Sequence, residues 1–459
     1  MMSRPTPLLL SEVAEMAGGR LSGGGVFHVN GFAIDSRVVG PREVFVALAG
    51  TRSDGHRFVA EVARRGAAAA VVMQPVAAPA GFPLVVVEDT ALALQQLGRA
   101  FRSRWPLRVV GITGSAGKTT TKEFTAALLA TRFRVFRSEG NLNNLYGLPL
   151  TLTRRRPDDQ VAVLELGMST PGELRQVAAI ARPDVAVITN VGQAHRQNFA
   201  SVDAIAEAKA EILEGLSPGG SFVANADDVR VAAIAARCKG PVVSFGFSEA
   251  AEVRASAVEA QGATMGFTLH AGGRSAPAVL GGVGRHHVLN ALAALAVARA
   301  LGMDPLELAP ELARLAPGKG RGRLLRLAND VLVLDDAYNA NPEALLAAAY
   351  ALPEATRKVA IVGDMLELGD SADSAHDDLG RALARLGYGL VVGVGPLGRR
   401  VAQAARDAGV AETLELSDAL AAAQAAPDLV RAGDAVLVKA SHGVGLHVVV
   451  EALERTGSR

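Results

Sequence analysis

The stretch LRVVGITGSAGKTTTKEFTAALLATR, residues 107–132, decides the fold of the central part of the chain. It starts with a short apolar run, passes through a glycine-rich turn and ends in a helical pattern. Gly114 and Gly117 let the backbone turn tightly, so that successive N–H groups face an anion at the N-terminus of the following helix. Lys118 would then reach the β- and γ-phosphates of a nucleotide, and the Thr119 hydroxyl would bind Mg²⁺. The stretch therefore predicts a strand, a phosphate-binding loop and a helix.

The predicted loop departs from the usual motif in one place, because Ile112 stands where the first glycine is expected. A glycine turn that binds no ligand is the alternative interpretation. The strand before the loop and the helix after it are the context that phosphate binding requires, and they favour a site for ATP. The residues expected to contact ATP here are Gly114, Ser115, Ala116, Gly117, Lys118, Thr119 and Thr120.

Six further apolar runs continue the pattern toward the C-terminus. They are VAVLELG (161–167), DVAVITNVG (184–192), VLVLDD (331–336), KVAIVGD (358–364), GLVVGVG (389–395) and DAVLVKAS (434–441). Continuous apolar runs bounded by turns are typical of strands buried on both faces of a parallel sheet. The sequence thus predicts an α/β protein with two open sheets, preceded by a smaller α/β unit.

Charge and composition exclude several classes of protein. Lys and Arg number 47 and Asp and Glu 46, so the net charge of +1 leaves no basic excess for a dedicated nucleic-acid binder. The single cysteine, Cys238, excludes an internal disulfide framework and a thiolate metal cluster. The first apolar run is too short for a signal peptide, and no stretch approaches the ~18 apolar residues of a membrane span. We expect a cytoplasmic monomer with no membrane insertion.

Polar residues follow several predicted strands, at the edge of the sheet where α/β proteins bind ligands. Glu165 and His195 are two of them, and each alone is as typical of a structural polar residue as of a ligand. The helical segment SVDAIAEAKAEILEGL (201–216) follows His195 in the chain, and Ser201 is its predicted N-cap. Lys209 falls on the apolar stripe of that helix, which is unusual for a lysine.

Lys209 suggests a specific chemistry. Only seven of the 47 basic residues are lysine, so a position that keeps lysine can need an amine and not merely a positive charge. Burial lowers a lysine pKa from its usual value of about 10.4, and a neutral amine can add CO₂ to form a metal-binding carbamate. Two alternatives stay open: the side chain extends to the surface, or it pairs with Glu165.

Eight segments together resemble those of the Mur ligases. They occur in the order TGSAGKTTT, EGNLNNLYGLPLTL, ELGMSTPGEL, TNVGQAHRQNF, AEAKAEI, GRHHVLNALAA, DDAYNANPEAL and GDMLELG, and DSR (35–37) and DGH (54–56) resemble the family's N-terminal domain. The resemblance spans nearly the whole chain. It implies an ATP-dependent amide ligase of peptidoglycan precursor synthesis, acting through an acyl phosphate. YNANP (338–342) and GDMLELG (363–369) indicate the branch that adds D-alanyl-D-alanine to UDP-N-acetylmuramoyl-tripeptide.

The resemblance also implies three domains: a UDP-substrate-binding domain at 1–105, an ATP-binding P-loop domain at 106–324 and a Rossmann-like ligase domain at 325–459. It implies that Lys118, Lys209 and His195 are catalytic and that a carbamylated Lys209 binds Mg²⁺ together with Thr119, Glu165 and His195. The further expected contacts are Asn290, Arg321 and Asp336 to ATP, and Asp35, Ser36, Arg37, Asn141 and Asn144 to substrate.

Two departures from the family pattern, one alternative residue and two alternative functions accompany these expectations. His287 stands where the family pattern has asparagine, KASH (439–442) stands where KGSR is expected, and Arg323 is the alternative to Arg321. A sibling Mur-type or folylpolyglutamate-type ligase with another amine acceptor is the nearest alternative function. A nucleotide-switched binding protein without ligation is the alternative from another class.

Overall fold

The computed structural model describes residues 8–23, 28–50 and 53–457. Within this part, three mostly parallel sheets carry helices on their faces, which confirms the predicted α/β class. The expected first domain, 1–105, contains residues 1–7, 24–27 and 51–52, and the expected third domain contains 458–459; these fall outside the described residues.

The first sheet belongs to the smaller N-terminal unit. Its elements are β1 (Leu8–Leu9), α1 (Leu10–Met16), β2 (Arg20–Ser22), β3 (His28–Val29), β4 (Gly31–Ala33), β5 (Glu43–Val46), α2 (Val59–Arg64), β6 (Ala69–Val72), β7 (Leu84–Val86) and α3 (Thr90–Ser103). The strand order is β2-β7-β6-β5-β4, in which β2 is antiparallel, while β1 and β3 pair separately. Helix α3 begins at Thr90 because the Asp89 carboxylate accepts hydrogen bonds from the N–H groups of Ala91 and Leu92.

The second sheet contains the phosphate-loop segment at its centre. Its elements are β8 (Arg108–Thr113), α4 (Lys118–Leu129), β9 (Val135–Arg137), α5 (Gly147–Leu152), β10 (Val161–Glu165), α6 (Glu173–Ala181), β11 (Val185–Ile188), α7 (Val202–Ala210), β12 (Ser221–Asn225), α8 (Val229–Ala236), β13 (Val242–Gly246), β14 (Val253–Gln261), β15 (Thr264–Ala271), β16 (Arg274–Gly281) and α9 (Arg285–Ala300). Strand β8 pairs in parallel with β10 and β11. The segments that follow these three strands therefore meet at one edge of the sheet.

Strands β14–β16 extend this sheet in a way that the analysis of the sequence did not predict. The order is β16-β15-β14-β13-β12-β11-β8-β10-β9, and β14, β15 and β16 pair antiparallel. Only Gly272 and Gly273 separate β15 from β16, with φ of 59° and 73°. Two consecutive positive φ values make the tight turn that a two-residue hairpin requires, and glycine adopts them without steric cost.

The third sheet confirms the second open α/β series. Its elements are β17 (Arg323–Arg326), β18 (Leu332–Asp335), α10 (Pro342–Ala351), β19 (Arg357–Gly363), α11 (Ala372–Arg385), β20 (Tyr388–Val394), α12 (Gly395–Asp407), β21 (Glu412–Leu416), α13 (Ala419–Leu429), β22 (Asp434–Lys439) and α14 (His447–Gly457). The order is β17-β18-β22-β19-β20-β21, parallel except for β17. The domain boundary expected between 324 and 325 falls inside β17, a strand of this third sheet.

The predicted helix over 201–216 is two elements. Ser201 is its N-cap as predicted, since its Oγ accepts a hydrogen bond from Ala204 N at 3.0 Å. Helix α7 ends at Ala210 and continues as a 3₁₀ helix, Glu211–Gly215. The Glu211 carboxylate binds the N–H groups of Gly172 and Arg175 at the start of α6, which draws this turn toward α6.

Other 3₁₀ helices connect the main elements. They are Gly55–Phe58, Arg196–Asn198, Ala309–Arg314, Ala328–Asp330, Gly369–Ser371 and His442–Val444. Among the described residues, no helix combines the length and the apolar character needed to cross a bilayer.

Candidate active site

A cavity of about 710 Å³ lies between the second and third sheets. It gathers the expected nucleotide and metal residues, together with two of the expected substrate residues. Those on its lining are Gly114, Ser115, Ala116, Gly117, Lys118, Thr119, Thr120, Asn141, Asn144, Glu165, His195, Lys209, Asn290, Arg321 and Asp336. Residues that are far apart in the chain are thus brought to one place, where strand ends of the two sheets meet.

The phosphate loop is fixed by close contacts on both of its glycines. Gly114 has φ of 149° and Gly117 has φ of 79°. A Cβ on Gly114 would lie 1.8 Å from Thr189 Oγ1, and one on Gly117 would lie 2.4 Å from Asn290 Oδ1. Both positions therefore require glycine. Ile112, which replaces the first motif glycine, is fully buried in β8, where an apolar side chain fills the core.

Lys118 is the first residue of α4 and curls back over the loop. Its Nζ donates a hydrogen bond to Gly114 O at 2.6 Å. Burial lowers the pKa of Lys118, the positive charge of Arg321 lowers it further, and the Glu165 carboxylate opposes the shift. A phosphate group placed in the loop would give this amine a stronger acceptor than the carbonyl it binds here.

Glu165 is held at the end of β10 by the residues around it. Its Oε2 accepts a hydrogen bond from Thr119 Oγ1 at 2.6 Å, and its Oε1 accepts one from Asn143 Nδ2 at 2.9 Å. The backbone N–H of Glu165 donates to Ser138 Oγ at 3.1 Å. Asn143 was missed in the sequence, where the expected substrate contacts were its neighbours Asn141 and Asn144.

Asn144 also has a structural role. Its Oδ1 accepts hydrogen bonds from Gly147 N at 2.9 Å and from Tyr146 N at 3.2 Å, so it fixes the turn that leads into α5. Its side-chain oxygen is thus engaged, and its amide nitrogen is the group that can face the cavity.

Lys209 is buried in the cavity wall, with 2% of its surface exposed. Among the described residues its side chain makes no hydrogen bond or ion pair, so it neither extends to the surface nor pairs with Glu165. Burial, and secondly the positive charge of Lys118, hold the pKa of Lys209 well below its ordinary value. Both effects favour the neutral form of the amine, which is the form that acts as a nucleophile.

His195 is turned toward the third sheet. It has a left-handed backbone, with φ of 62°, and its Nδ1 lies 2.6 Å from Glu367 Oε2. The contact with His195 lowers the pKa of Glu367. Glu367 belongs to the segment GDMLELG, whose resemblance was noted in the sequence without any role for this residue.

The described residues contain no group of three or more His, Cys, Asp or Glu side chains able to hold a metal ion by themselves. Glu165 and Thr119 nevertheless offer a carboxylate and a hydroxyl in direct contact, and hard oxygen donors of this kind suit Mg²⁺. Mg²⁺ also keeps several waters and takes ligands from substrate phosphates. The donor set therefore fits Mg²⁺ bound with a nucleotide.

The third-sheet wall of the cavity carries paired charges. Lys439 Nζ donates to Asp336 Oδ2 at 2.5 Å and to Asn339 O at 2.9 Å. Burial raises the pKa of Asp336, and the Lys439 charge opposes this shift. The Arg321 guanidinium lies 3.8 Å from the centre of the Tyr338 ring, a cation–π contact.

Arg323, the alternative to Arg321, does not line the cavity. It lies on β17, and its guanidinium is 3.3 Å from Glu454 and 3.8 Å from Asp335.

Two adjacent histidines border Asn290 at the start of α9. The ring centroids of His286 and His287 are 4.1 Å apart, and His287 is 3% exposed. Neither ring nitrogen of His287 has a hydrogen-bond partner. Burial lowers the pKa of His286 to about 4 and holds that of His287 well below its ordinary value, and the charge of Lys439 lowers both further.

The expected substrate residues of the first unit lie outside this cavity. Arg37 forms an ion pair of 2.7 Å with Asp35, and Arg65 donates hydrogen bonds to the backbone oxygens of Ser36 and Arg37. Arg37 is well exposed, and the pair with it lowers the pKa of Asp35 to about 2. The substrate role of this turn stays a prediction.

Comparison with known proteins agrees with these observations. The model of the Mur ligase family catalytic domain matches residues 28–102, that of the Mur ligase middle domain matches 112–298, and that of the Mur ligase glutamate ligase domain matches 320–442. A UDP-N-acetylmuramoyl-tripeptide--D-alanyl-D-alanine ligase of Bacillus subtilis (strain 168) is 34% identical, over 97% of this chain and 98% of its own length. The chain belongs to the Mur ligase family.

Solved structures support the three-domain fold of this Mur ligase. A crystal structure of MurF from Acinetobacter baumannii aligns with a TM-score of 0.89 and 33% identity, covering 99% of this chain and 100% of the other. MurF ligase from Thermotoga maritima in complex with ADP aligns with a TM-score of 0.83 and 31% identity, covering 93% and 98%.

Proposed function

We propose that this Mur ligase joins D-alanyl-D-alanine to UDP-N-acetylmuramoyl-tripeptide and converts ATP to ADP and phosphate. The observation that carries the proposal is the single cavity in which the phosphate loop, Glu165, His195 and Lys209 meet a second wall of charged residues. The relatives named above give the substrate class. The product is a precursor of peptidoglycan.

The chemistry begins with two anions that must approach each other. A carboxylate oxygen of the tripeptide attacks the γ-phosphorus. The bond between the γ-phosphorus and the β,γ-bridging oxygen breaks, and ADP leaves. The D-alanyl-D-alanine amine then attacks the acyl carbon, phosphate leaves, and the amine loses a proton. Positive charge around the transferred group is the main requirement. In the proposed site Lys118 turns from Gly114 O to the phosphates, while Arg321 faces them from the third-sheet wall.

Mg²⁺, when bound, would neutralise phosphate charge and polarise the phosphoryl group. Thr119, Glu165 and His195 would hold it from the second sheet. Lys209 would complete the set as a carbamate: its unprotonated Nζ attacks the carbon of CO₂, a C–N bond forms as one C=O π bond becomes C–O⁻, and the nitrogen loses one proton. Its burial and its depressed pKa support this step.

The remaining contacts follow the geometry of the cavity. Asn290 lies against Gly117 and is the proposed contact to adenine, and Asp336 faces the nucleotide from the third sheet. Asn141 and Asn144 border the side of the cavity nearest β10 and would contact the acyl substrate.

We also propose how the three domains divide the reaction. The first binds the UDP end of the substrate through the turn at Asp35–Arg37, and the second ends near residue 320, before β17. The protein acts as a cytoplasmic monomer, because ATP and UDP-linked precursors are drawn from the cytoplasm and the cavity is complete within one chain.

Phosphate release with a panel of amine acceptors tests the proposed function. With Mg²⁺, ATP and UDP-N-acetylmuramoyl-tripeptide, D-alanyl-D-alanine should stimulate phosphate release, whereas D-glutamate, diaminopimelate and lysine should not. Stimulation by another acceptor alone would favour a sibling ligase. ATP hydrolysis that needs neither the carboxylate nor the amine would favour a nucleotide switch.

A further inference from the structure

The segment 364–369, which follows β19 of the third sheet, contacts the second-sheet loop that carries His195. The Nδ1 atom of His195 lies 2.6 Å from Glu367 Oε2, and Gln197 N donates a hydrogen bond to Glu367 O at 3.1 Å. A Cβ on Gly369 would lie 3.3 Å from the Cα of Gln197, so the two backbones approach closely. The loops of two different sheets are thus joined through side chains and main chains together.

Both members of the ion pair have an uncommon backbone. The φ angle is 62° for His195 and 65° for Glu367. Residues other than glycine hold a left-handed conformation only where the surrounding structure imposes it, and such residues are concentrated at functional sites. Here the two strained positions face each other, which indicates that their alignment is the feature the fold preserves.

The segment that presents Glu367 is rigid. The Asp364 carboxylate accepts hydrogen bonds from two N–H groups in the first turn of α12, at 2.9 and 2.8 Å. His376 Nε2 accepts one from Met365 N, and Ser441 Oγ accepts one from Leu366 N, both at 2.9 Å. Each residue before Glu367 is therefore fixed to the third sheet, and Glu367 moves only with that sheet.

The contact also determines which ring nitrogen of His195 is available. Nδ1 is shielded from solvent and lies at ion-pair distance from the carboxylate, although the contact lacks the geometry of a hydrogen bond. A carboxylate beside one ring nitrogen of a histidine restricts the orientation of the ring and leaves the other nitrogen to face a ligand, as is usual for histidines that bind metals. His195 lines the cavity, so Nε2 is the atom that can act there.

We propose that Glu367 is a positioning residue that makes the orientation of His195 depend on the docking of the third sheet. The inference rests on the proposed function, in which His195 helps to hold the metal of the nucleotide. When the third domain moves away, His195 loses the partner that orients its ring. The metal-binding residues are then correctly placed together only while both walls of the cavity are in contact. This prevents hydrolysis of ATP in an open site.

Three variants of the full-length protein test this proposal. E367A removes the carboxylate, E367Q keeps a side-chain oxygen beside Nδ1 without the charge, and E354Q is the matched control. Glu354 pairs with Lys358 on the same domain and is 89% exposed, away from the cavity. Two measurements apply to each: Mn²⁺ affinity with a non-hydrolysable ATP analogue by electron paramagnetic resonance, and hydrogen exchange of residues 192–199.

We expect E367A to weaken Mn²⁺ binding about tenfold, the usual lower effect of losing a carboxylate partner of a metal-binding histidine. Exchange in 192–199 should rise in E367A only. E367Q should stay within about threefold of the wild type, because a side-chain oxygen of the same reach still faces Nδ1, and E354Q should not differ from it.

The proposal would be overturned if E367A had the same Mn²⁺ affinity and the same hydrogen exchange in residues 192–199 as the wild type. So would equal losses in E367A and E367Q with a lowered melting temperature, since that pattern describes a general loss of stability. Neither readout needs ligation, so both remain interpretable if D-alanyl-D-alanine is not the acceptor.

Discussion

The two walls of the cavity are built differently. The second-sheet wall is held by its own hydrogen bonds, from Thr119 to Glu165 and from Ala116 N to Asn190 Oδ1 at 2.8 Å. The third-sheet wall pairs its charges within itself, as Lys439 does with Asp336. Few contacts join the two, among them Gln193 N to Glu343 Oε1 at 3.2 Å. The phosphate-binding wall can therefore form alone, whereas the opposite wall acts on the nucleotide only when docked.

Removal of Lys118 should have the largest effect, since it takes a positive charge from the wall that binds phosphate. We expect K118A to reduce phosphate release about 10³-fold, comparable with loss of a main electrostatic stabiliser in other enzymes. The melting temperature should change little, because Lys118 is bonded only to Gly114 O. Turnover within tenfold of the wild type would contradict the role assigned to it.

Replacement of Lys209 by arginine should rank second. Arginine cannot form a carbamate and would bring a fixed charge next to Lys118, so we expect K209R to lose about 10²-fold in turnover. ¹³C NMR in labelled bicarbonate should show a carbamate carbon in the wild type that is absent from K209R. K239R, at an exposed lysine, is the control. Full activity of K209R would refute the carbamate.

The R321A variant tests the third-sheet wall of the cavity, which acts on the nucleotide only when it is docked against the second-sheet wall. R321A should raise the KM for ATP about tenfold, as expected for one lost charge-assisted contact, with a smaller change in kcat. R323A is a matched control, because Arg323 lies on the same sheet outside the cavity. A larger effect of R323A than of R321A would reverse the assignment of these two residues.

Replacement of His287 should have the smallest effect, and the effect should appear in how the free energy of unfolding depends on pH. Its folded-state pKa is depressed by burial, so the unfolded chain binds a proton that the folded chain does not. The free energy of unfolding should therefore fall below about pH 6.5, by about 2 kcal/mol between pH 7 and pH 5 for one buried imidazole. In urea titrations at a series of pH values, H287N should reduce the dependence of the free energy of unfolding on pH. An unchanged pH dependence would contradict this prediction.

The sequence predicted the features that depend on neighbouring residues. The phosphate loop between β8 and α4 and the Ser201 cap both follow from local patterns. Lys209 was recognised because helical periodicity placed it on a buried stripe. Such signals are visible within a few residues, and the structure confirms the elements they predicted.

What was missed depends on contacts between distant residues or on a signal that was not weighed. Glu367 gains meaning only through its contact with His195, and no local pattern links the two. Asn143 was one of three similar asparagines, and only the fold shows that it holds Glu165. The antiparallel strands β14–β16 could have been found, since Gly272 and Gly273 mark a two-residue turn.

The crowding around Gly114 and Gly117 has a consequence for inhibitor design. Any side chain at these positions would collide with Thr189 or Asn290. Substitution of either glycine by a larger residue therefore cannot exclude a compound that is bound in the loop. Drug-resistant variants should instead arise on the opposite wall, at positions such as Tyr338. Compounds that contact the loop alone would thus leave this enzyme the fewest tolerated substitutions.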